Sequence, residues 1–460
     1  MPDPNFAAVI ALGRLDPDPA AVRDVLARLA GGRLVADRLV AGLELSKVGR
    51  LARHAVAAAE PAAGPGRELL RRLVEADEAE ERWRERAVPP MRAAVAAAAR
   101  HGGRVVKGLA VQSCYPRPEL RHVGDVDLHF PSWAAARPLL RELRAAGWIW
   151  DTDELSWLKW HDSGVLYGQL SLVVDDNAAP YARVDLHIGP FSVGHAGLLP
   201  MAGWAPGSAL GVPVAVPDPV TALAMVAAHA VVDRVLSVKD LNDLRVLLNP
   251  GADGADRVDW ATVWELCRAA QAAGALAQCL RALADAYPDL RESVLPVLPG
   301  SGGLRTSVPG PARRAAAFAA HAYRDERARG SALPAAVRTG WTARRYFSAD
   351  LRPRLATGPV RAAAPLPALR RRDVCWRLVP AQLWEPWLAG RPDAAGDRPD
   401  ADHREELADG LTLVTGPAGA AVTLDGDVFV PTVWGRVPPG GARLAARLAG
   451  RIAAGQGVPG

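Results

Sequence analysis

The sequence is poor in cysteine, and this shortage excludes several classes of protein. Its 460 residues include four cysteines, at positions 114, 267, 279 and 375, and no two of them form a CxxC pair. Isolated cysteines are typical of reduced thiols in a cytoplasmic protein, not of a disulfide framework or a thiolate metal site. No apolar run approaches the roughly 18 uninterrupted residues of a membrane span. Residues 1–22 lack the basic flank of a secretory signal, so we expect a cytoplasmic protein without a membrane partner.

The short motifs of several large enzyme classes are also absent. There is no GxxxxGK, which excludes a P-loop protein. The chain contains neither a GxSxG nucleophile elbow nor the HExxH motif of zinc metalloproteases. The net charge of +5 is modest for this length. It allows an anionic ligand but does not indicate nucleic acid as a partner.

The pattern of residues changes along the chain and predicts four regions. Residues 1–100 carry Ala, Leu and Arg at helical spacing, and residues 251–372 form a second helical, Arg-rich region. Between them, residues 101–250 alternate short apolar runs with helical patterns. Residues 373–460 are typical of a small β-rich module. The sequence therefore predicts an α+β protein with helical N-terminal and middle regions and a small β-rich C-terminal module.

Local patterns predict individual elements within these regions. The apolar runs that predict strands in the second region are residues 104–111, 123–130, 164–174 and 182–191. Further on, Asp218 and Pro219 predict the start of one long helix, which Asn249-Pro250-Gly251 ends. In the C-terminal region, residues 390–408 have the composition of an exposed loop. Asp425-Gly426 there predicts a hairpin turn.

The run VGDVDLHF, residues 123–130, places two aspartates in an otherwise apolar strand. Alternate residues of a strand share a face, so Asp125, Asp127 and His129 point to one side. Two adjacent carboxylates repel each other in a dry site unless a cation neutralises them. Mg²⁺ or Mn²⁺, which prefer oxygen ligands, are the natural cations. The alternative to a metal site is a solvated strand face.

Two further stretches strengthen the metal interpretation. RVDLHIGPF repeats the pattern, with Asp185 and His187 on one strand face. If this strand neighbours the first, three carboxylates converge and could hold two metal ions about 4 Å apart, as in-line phosphoryl displacement requires. Upstream, Lys107-Gly108 follows a predicted strand, where Gly allows a phosphate to approach the backbone and Lys supplies a point charge. Lys107 is one of only four lysines in the chain.

The order of these motifs resembles the uncharacterised nucleotidyltransferase family of bacteria, a branch of the polymerase-beta-like nucleotidyltransferase superfamily. The resemblance is carried by Lys107-Gly108, Arg121, Gly124-Asp125-Val126-Asp127-Leu128 and Val184-Asp185-Leu186-His187. A weaker match runs from Pro217-Asp218-Pro219 through His229 to Asp240. It covers residues 100–250 most specifically, and it departs from the superfamily's Gly-Ser or Gly-Gly loop in having Leu109 after Gly108.

The resemblance implies a nucleotidyltransferase-fold mixed sheet flanked by helices, with residues 101–250 as the nucleotidyltransferase core. It implies Mg²⁺-dependent transfer of a nucleoside monophosphate from an NTP. Asp125 and Asp127 would bind both metals, and Asp185 would bind the catalytic metal and help to deprotonate the acceptor. The phosphate contacts would come from Lys107, Gly108 and Gly124, with Arg121 assisting.

Other polar residues allow more than one interpretation. His129 and His187 would either ligate Mn²⁺ or Zn²⁺ or orient a carboxylate from behind it. His229 and Asp240 would either face a nucleotide or lie on a solvated helix face. Lys239 would reach a phosphate or pair with Asp243 four residues on. The tryptophans at 148, 150, 157 and 160 are expected in the core rather than stacked on a nucleobase.

The residues and the resemblance together predict a metal-dependent nucleotidyltransferase that releases pyrophosphate. Its acceptor would be a hydroxyl on a small molecule or on a peptide or protein side chain. One alternative is a binuclear metal phosphohydrolase that uses His129 and His187 beside the same carboxylates. Another is a non-catalytic, antitoxin-like nucleotide-binding regulator. The sequence leaves open the preferred NTP, the general base, the role of residues 373–460 and the oligomeric state.

Overall fold

The structure is a computed structural model, and its described residues form two compact units. The first unit comprises described residues within 1–99, 104–127 and 192–306, and the second those within 100–103, 128–191 and 307–460. The structure describes residues 4–60, 64–160, 166–175, 180–192, 198–201, 203–233, 237–248, 258–270, 272–298, 376–389, 403–416, 419–432 and 439–455. Nowhere in these ranges does a helix combine the length and apolar character needed to span a bilayer.

Helices and strands alternate irregularly along the chain. The helices are α1 (Pro4–Gly13), α2 (Pro19–Ala30), α3 (Ala36–Leu45), α4 (Gly49–Ala58), α5 (Pro65–Arg100), α6 (Lys107–Gln112), α7 (Trp133–Ala145), α8 (Pro219–Asp233), α9 (Val238–Leu248), α10 (Trp260–Ala269), α11 (Ala273–Ala286), α12 (Arg291–Val294), α13 (Ala381–Ala389) and α14 (Pro439–Ala453). The strands are β1 (Arg104–Val105), β2 (Val126–Phe130), β3 (Ile149–Trp150), β4 (Trp157–Trp160), β5 (Leu166–Asp175), β6 (Pro180–Ile188), β7 (Phe191–Ser192), β8 (Leu198–Leu199), β9 (Trp204–Ala209), β10 (Val212–Pro217), β11 (Trp376–Val379), β12 (His403–Ala408), β13 (Leu411–Gly416), β14 (Gly419–Leu424) and β15 (Asp427–Thr432).

The helical start of the first unit follows from the spacing of its apolar residues. Helix α2, for example, buries Val22, Val25 and Leu29, which lie three and four positions apart. Asp18 caps this helix, because its carboxylate accepts a 2.9 Å hydrogen bond from the Ala20 backbone N–H. The prediction of a helical region over 1–100 is confirmed for the described residues.

The strands of the first unit form a mixed sheet. Strand β1 pairs in parallel with β10, and β10 pairs antiparallel with β9. The first residues of β2 lie on the other side of β1, where the Val106 N–H donates to the Asp127 carbonyl over 3.0 Å.

The prediction of one strand over 104–111 is wrong. The strand ends at Val105 and helix α6 begins at Lys107, because Lys107 adopts a positive φ of 51 degrees and breaks the extended run.

The helical part that follows β10 consists of two helices, α8 and α9, where one long helix was predicted. Asp218 caps α8 as expected, with its carboxylate accepting from the Thr221 N–H at 2.7 Å. The second helix begins with its own capping box. Ser237 Oγ accepts from the Asp240 N–H at 3.2 Å, and the Asp240 carboxylate accepts from the Ser237 N–H at 3.0 Å. The Ser-x-x-Asp spacing is the sequence signal that the single-helix prediction overlooked.

The second unit contains an antiparallel arrangement of long strands. Strand β5 pairs with β4 on one side and with β6 on the other, and the last residues of β2 lie beside β6. The strand predictions for 123–130, 164–174 and 182–191 are confirmed, with boundaries shifted by a few residues. Trp148, Trp150 and Trp157 are buried, as expected for core residues.

The C-terminal part of the second unit is built on strands β11 to β15. The turn between β14 and β15 has positive φ at both Asp425 and Gly426, 48 and 97 degrees, which confirms the predicted hairpin turn. Helix α14 buries Ala442, Ala445 and Leu448 in the core of this part.

The loop prediction for 390–408 is wrong for its last residues, since His403–Ala408 form strand β12. These charged residues suit a strand because β12 lies at the end of the strand order, where each of its residues is at least partly exposed.

The α+β class is confirmed, with a mixed sheet, helices around it and a β-rich C-terminal part. The prediction of four regions bounded at 100, 250 and 372 stays a prediction. Most of the predicted Arg-rich segment, residues 299–372, lies outside the described residues.

Candidate active site

The candidate carboxylates of the first unit lie at the start of strand β2, which is buried along its whole length. Asp125 precedes the strand and is half-buried, whereas the Asp127 side chain is only 5% exposed. Asp127 Oδ1 accepts a 2.6 Å hydrogen bond from the Lys107 ammonium. A carboxylate this deeply buried requires a cationic partner, and Lys107 provides it. The structure thus brings together two of the residues that the sequence marked.

The backbone conformation of Lys107 places this ammonium. Its φ of 51 degrees is uncommon for a residue with a side chain and costs conformational energy. The preceding Val106 N–H binds the Asp127 carbonyl, so the turn is attached to β2 immediately before the strained residue. Strained residues of this kind concentrate at functional sites.

Gly108 has a structural reason to be glycine. An ideal Cβ at this position would lie 2.8 Å from Nη1 of Arg121, which is closer than real Cβ atoms approach a neighbour. The sequence predicted a close approach of a phosphate to this glycine. That approach stays a prediction, and the protein group beside Gly108 is the Arg121 guanidinium.

Arg121 itself is buried and forms a bidentate ion pair with Asp243 of helix α9. Its Nε lies 2.9 Å from Asp243 Oδ1 and its Nη2 lies 2.8 Å from Oδ2. The Tyr115 hydroxyl donates to Asp243 Oδ1 over 2.7 Å. Burial alone would lower the pKa of Arg121, but the charge and hydrogen bonds of Asp243 raise it. Burial and the Asp243 charge raise the pKa of Tyr115 well above its usual value, so this hydroxyl remains a donor.

Asp240 and Lys239 form a neighbouring pair on α9. The Lys239 ammonium lies 2.8 Å from Asp240 Oδ1 and 3.6 Å from Asp243 Oδ2, so it pairs with carboxylates of its own helix. Burial alone would raise the pKa of Asp240, but Lys239, the Ser237 hydroxyl and the charge of His229 lower it to about 2. The structure therefore brings His229 within electrostatic reach of Asp240.

This lowered pKa predicts a pH-dependent contribution to stability. Asp240 has an ordinary pKa of 3.8 and a folded-state pKa of about 2, so its contribution is complete above about pH 4 and is lost as the pH falls toward 2. The shift corresponds to about 2 kcal/mol. We expect the free-energy difference between wild type and Asp240→Asn to shrink by about this amount from pH 5 to pH 2. Chemical denaturation measures it, with Asp285→Asn, at a side chain that is 75% exposed, as the matched control.

The remaining predicted residues belong to the second unit. Asp185 on β6 is buried, and its Oδ1 accepts a 2.6 Å hydrogen bond from the Ser171 hydroxyl on β5, the residue directly opposite in the strand register. His187 is buried and its ring packs on Phe191, with ring centroids 5.0 Å apart. His129 Nε2 lies 2.9 Å from the Gly189 carbonyl oxygen, so this nitrogen carries the proton and donates. Each of these side chains has a defined partner within its own unit.

The predicted convergence of three carboxylates stays a prediction. Asp125 and Asp127 belong to the first unit and Asp185 to the second, so the convergence of the three carboxylates rests on the sequence argument. Among the described residues, no group of three or more His, Cys, Asp or Glu side chains is arranged to hold a metal ion. Sequence reasoning missed Tyr115 and Ser171, for which no motif exists. It considered Asp243 only as a partner of Lys239.

The chain is similar to one described protein family. The model of the family described as "uncharacterised nucleotidyltransferase" matches residues 35–288, which is more than half of the chain. No curated protein matches the chain. Similar solved structures include an antigenic nucleotidyltransferase-like protein from Paracoccidioides brasiliensis, at 14% identity and a TM-score of 0.24, covering 42% of this chain and 83% of that one. They also include the Megavirus polyadenylate synthase, at 14% identity and a TM-score of 0.25, covering 41% of this chain and 38% of that one. On the family match alone, which includes Lys107, Asp125, Asp127 and Asp185, the chain belongs to the uncharacterised nucleotidyltransferase family.

Proposed function

We propose that the protein transfers a nucleoside monophosphate from an NTP to a hydroxyl of a small molecule or of a peptide or protein side chain, with pyrophosphate as the leaving group. The observation that carries the proposal is the Lys107–Asp127 pair. A buried carboxylate of the Asp125-x-Asp127 motif lies 2.6 Å from an ammonium held on a strained turn. Family membership makes nucleotidyl transfer the reaction that this pair would serve.

The carboxylates of Asp125 and Asp127 supply the ligand chemistry that a divalent cation prefers. Carboxylate oxygens are the ligands that Mg²⁺ and Mn²⁺ prefer, and Asp127 already holds one positive charge in a site almost closed to solvent. Asp125 and Asp127 would hold the metal, and Asp185 is retained as the third ligand on the sequence argument. When bound, the cation would activate the attacking oxygen and neutralise charge on the leaving pyrophosphate.

The residues of the chain would contribute position and charge. The Lys107 side chain is 21% exposed, so its ammonium can neutralise Asp127 and also reach a phosphate oxygen from the same backbone position. Ser171, by donating to Asp185 Oδ1, orients that carboxylate. His129 Nε2 is engaged with the Gly189 carbonyl, and this contact gives no support to a hydrolase that would use that nitrogen as a ligand.

Calorimetric titration tests the proposal without knowledge of the acceptor. ATP, GTP, CTP and UTP would be titrated with Mg²⁺ into the wild type and into Asp125→Asn/Asp127→Asn. We expect at least one NTP to bind the wild type and none to bind the double variant, because the carboxylates that hold the metal–nucleotide complex are gone.

The matched control changes another Asp-x-Asp pair of the same unit. Asp16→Asn/Asp18→Asn makes the same chemical change, and Asn caps a helix as well as the Asp18 that it replaces. This control should bind as the wild type does. Failure of every NTP to bind well-folded wild type with Mg²⁺ or Mn²⁺ would overturn the proposal, and so would equal binding by the two double variants.

A further inference from the structure

A buried network lies directly behind the turn that carries Lys107. Arg121 Nη1 occupies the space beside Gly108, as the 2.8 Å distance to an ideal Cβ shows. The same Nη1 donates to the His122 carbonyl at 2.9 Å. The guanidinium therefore packs against Gly108, and any shift of Arg121 changes the support of the turn at Lys107.

Arg121 is held in turn by Asp243. Two parallel hydrogen bonds, of 2.9 and 2.8 Å, fix the plane of the guanidinium, which a single contact would leave free to rotate. Both side chains are almost completely buried, at 6% and 3% exposure, so water cannot replace either partner. A residue enclosed in this way is poorly placed to bind a phosphate and well placed to position a neighbour.

Asp243 has its own supports on two elements. Tyr115, which follows helix α6, donates its hydroxyl hydrogen over 2.7 Å, and Lys239 lies one helical turn earlier on α9, with its ammonium 3.6 Å away. Gly108, the second residue of helix α6, lies beside the Arg121 guanidinium, and Tyr115, three residues after that helix ends, binds Asp243. The Arg121–Asp243 pair therefore borders both ends of the segment from Gly108 to Tyr115.

We propose that Asp243 is a positioning residue, which acts through Arg121 and Gly108 to hold the Lys107 ammonium at Asp127. The proposal rests on the proposed function for its kinetic consequence but not for its structural one. It assigns Arg121 to support of the turn, in place of the phosphate contact that the sequence predicted. Loss of Asp243 would let Arg121 rotate, release Gly108 and displace the strained Lys107 turn.

The scarcity of lysine makes the displacement measurable without any activity. The chain has only four lysines, so protein labelled with ¹³C at the lysine ε-carbon gives four ε-methylene signals in an NMR spectrum, and Lys107→Arg identifies the one from Lys107. We expect Tyr115→Phe and Asp243→Asn to shift the Lys107 signal. Tyr115→Phe leaves the net charge unchanged, so its effect does not come from the loss of a charged group. Asp285→Asn, the exposed control on helix α11, should leave the signal in place.

The kinetic readout separates positioning from simple stability. With an acceptor found, or with pyrophosphate release as the assay, we expect kcat to fall about 10–100-fold for Asp243→Asn, with a smaller change in the KM for the NTP. Asp243→Glu, which keeps the charge, should recover part of this loss. Melting curves would establish that each variant is folded at the assay temperature, and Tyr115→Phe replaces Asp243→Asn if the latter does not fold.

Two results would contradict the proposal. In one, the variants melt earlier but keep the wild-type Lys107 signal and wild-type kcat while folded, and Asp243 is then only structural. In the other, Asp243→Asn raises KM for the NTP with kcat unchanged, which would mean that Arg121 binds nucleotide directly. If the wild type binds no NTP, the proposed function fails, yet the Lys107 signal still decides the positioning role.

Discussion

Asp127→Asn is expected to reduce nucleotidyl transfer at least about a thousandfold, because the loss of a metal-holding carboxylate removes several kcal/mol of transition-state stabilisation. The substitution preserves size, and the Asn carbonyl can still accept the hydrogen bond that the Lys107 ammonium now donates to Asp127 over 2.6 Å. The fold around β2 should therefore survive. Pyrophosphate release measures the effect, with kcat determined at saturating NTP and Mg²⁺.

A matched variant shows whether this loss is specific. Asp285→Asn makes the same change at a side chain that is 75% exposed and should retain wild-type activity. If Asp127→Asn keeps activity within tenfold of wild type while its melting temperature is unchanged, Asp127 does not hold the metal and the proposed mechanism is wrong. A parallel loss in Asp125→Asn would show that the two carboxylates act as one site.

Arg121→Met is expected to lower the free energy of unfolding by about 3–5 kcal/mol, because it leaves the Asp243 carboxylate buried without its main cationic partner. Asp243 is only 3% exposed, so solvent cannot take over the role of the guanidinium. Lys239, 3.6 Å away, offsets part of the cost and places the expected value at the lower end of that range. Chemical denaturation at neutral pH measures the change.

The double variant Arg121→Met/Asp243→Leu supplies the control for this prediction. Replacing both partners by apolar residues removes the unpaired charge, so a large part of the lost stability should return, less about 1 kcal/mol for the Tyr115 hydroxyl that loses its acceptor. Equal stability of the single and double variants would show that the pair does not behave as a coupled buried ion pair. The double variant should nevertheless remain catalytically impaired, since Gly108 would have lost its support.

Features with a strong local signal were predictable from the sequence. The β2 strand could be recognised because its apolar residues alternate with aspartates, and the hairpin turn because Asp-Gly adopts positive φ at little cost. Asp218 caps α8 for an equally local reason, which is the short distance between its carboxylate and the Thr221 N–H. Where a local signal was overlooked, as with the Ser237–Asp240 capping box, two helices were mistaken for one.

The sequence by itself determined the α+β class, the candidate carboxylates and the family to which the chain is similar, because periodicity, turn chemistry and motif spacing are properties of neighbouring residues. Only the tertiary structure decided which cation meets which carboxylate. Lys107 and Asp127 are twenty positions apart, and Arg121 and Asp243 are 122 apart. No periodic pattern links residues at such separations. Their pairing depends on how the start of strand β2, helix α6 and helix α9 of the first unit pack, and the same packing places the Arg121 guanidinium beside Gly108.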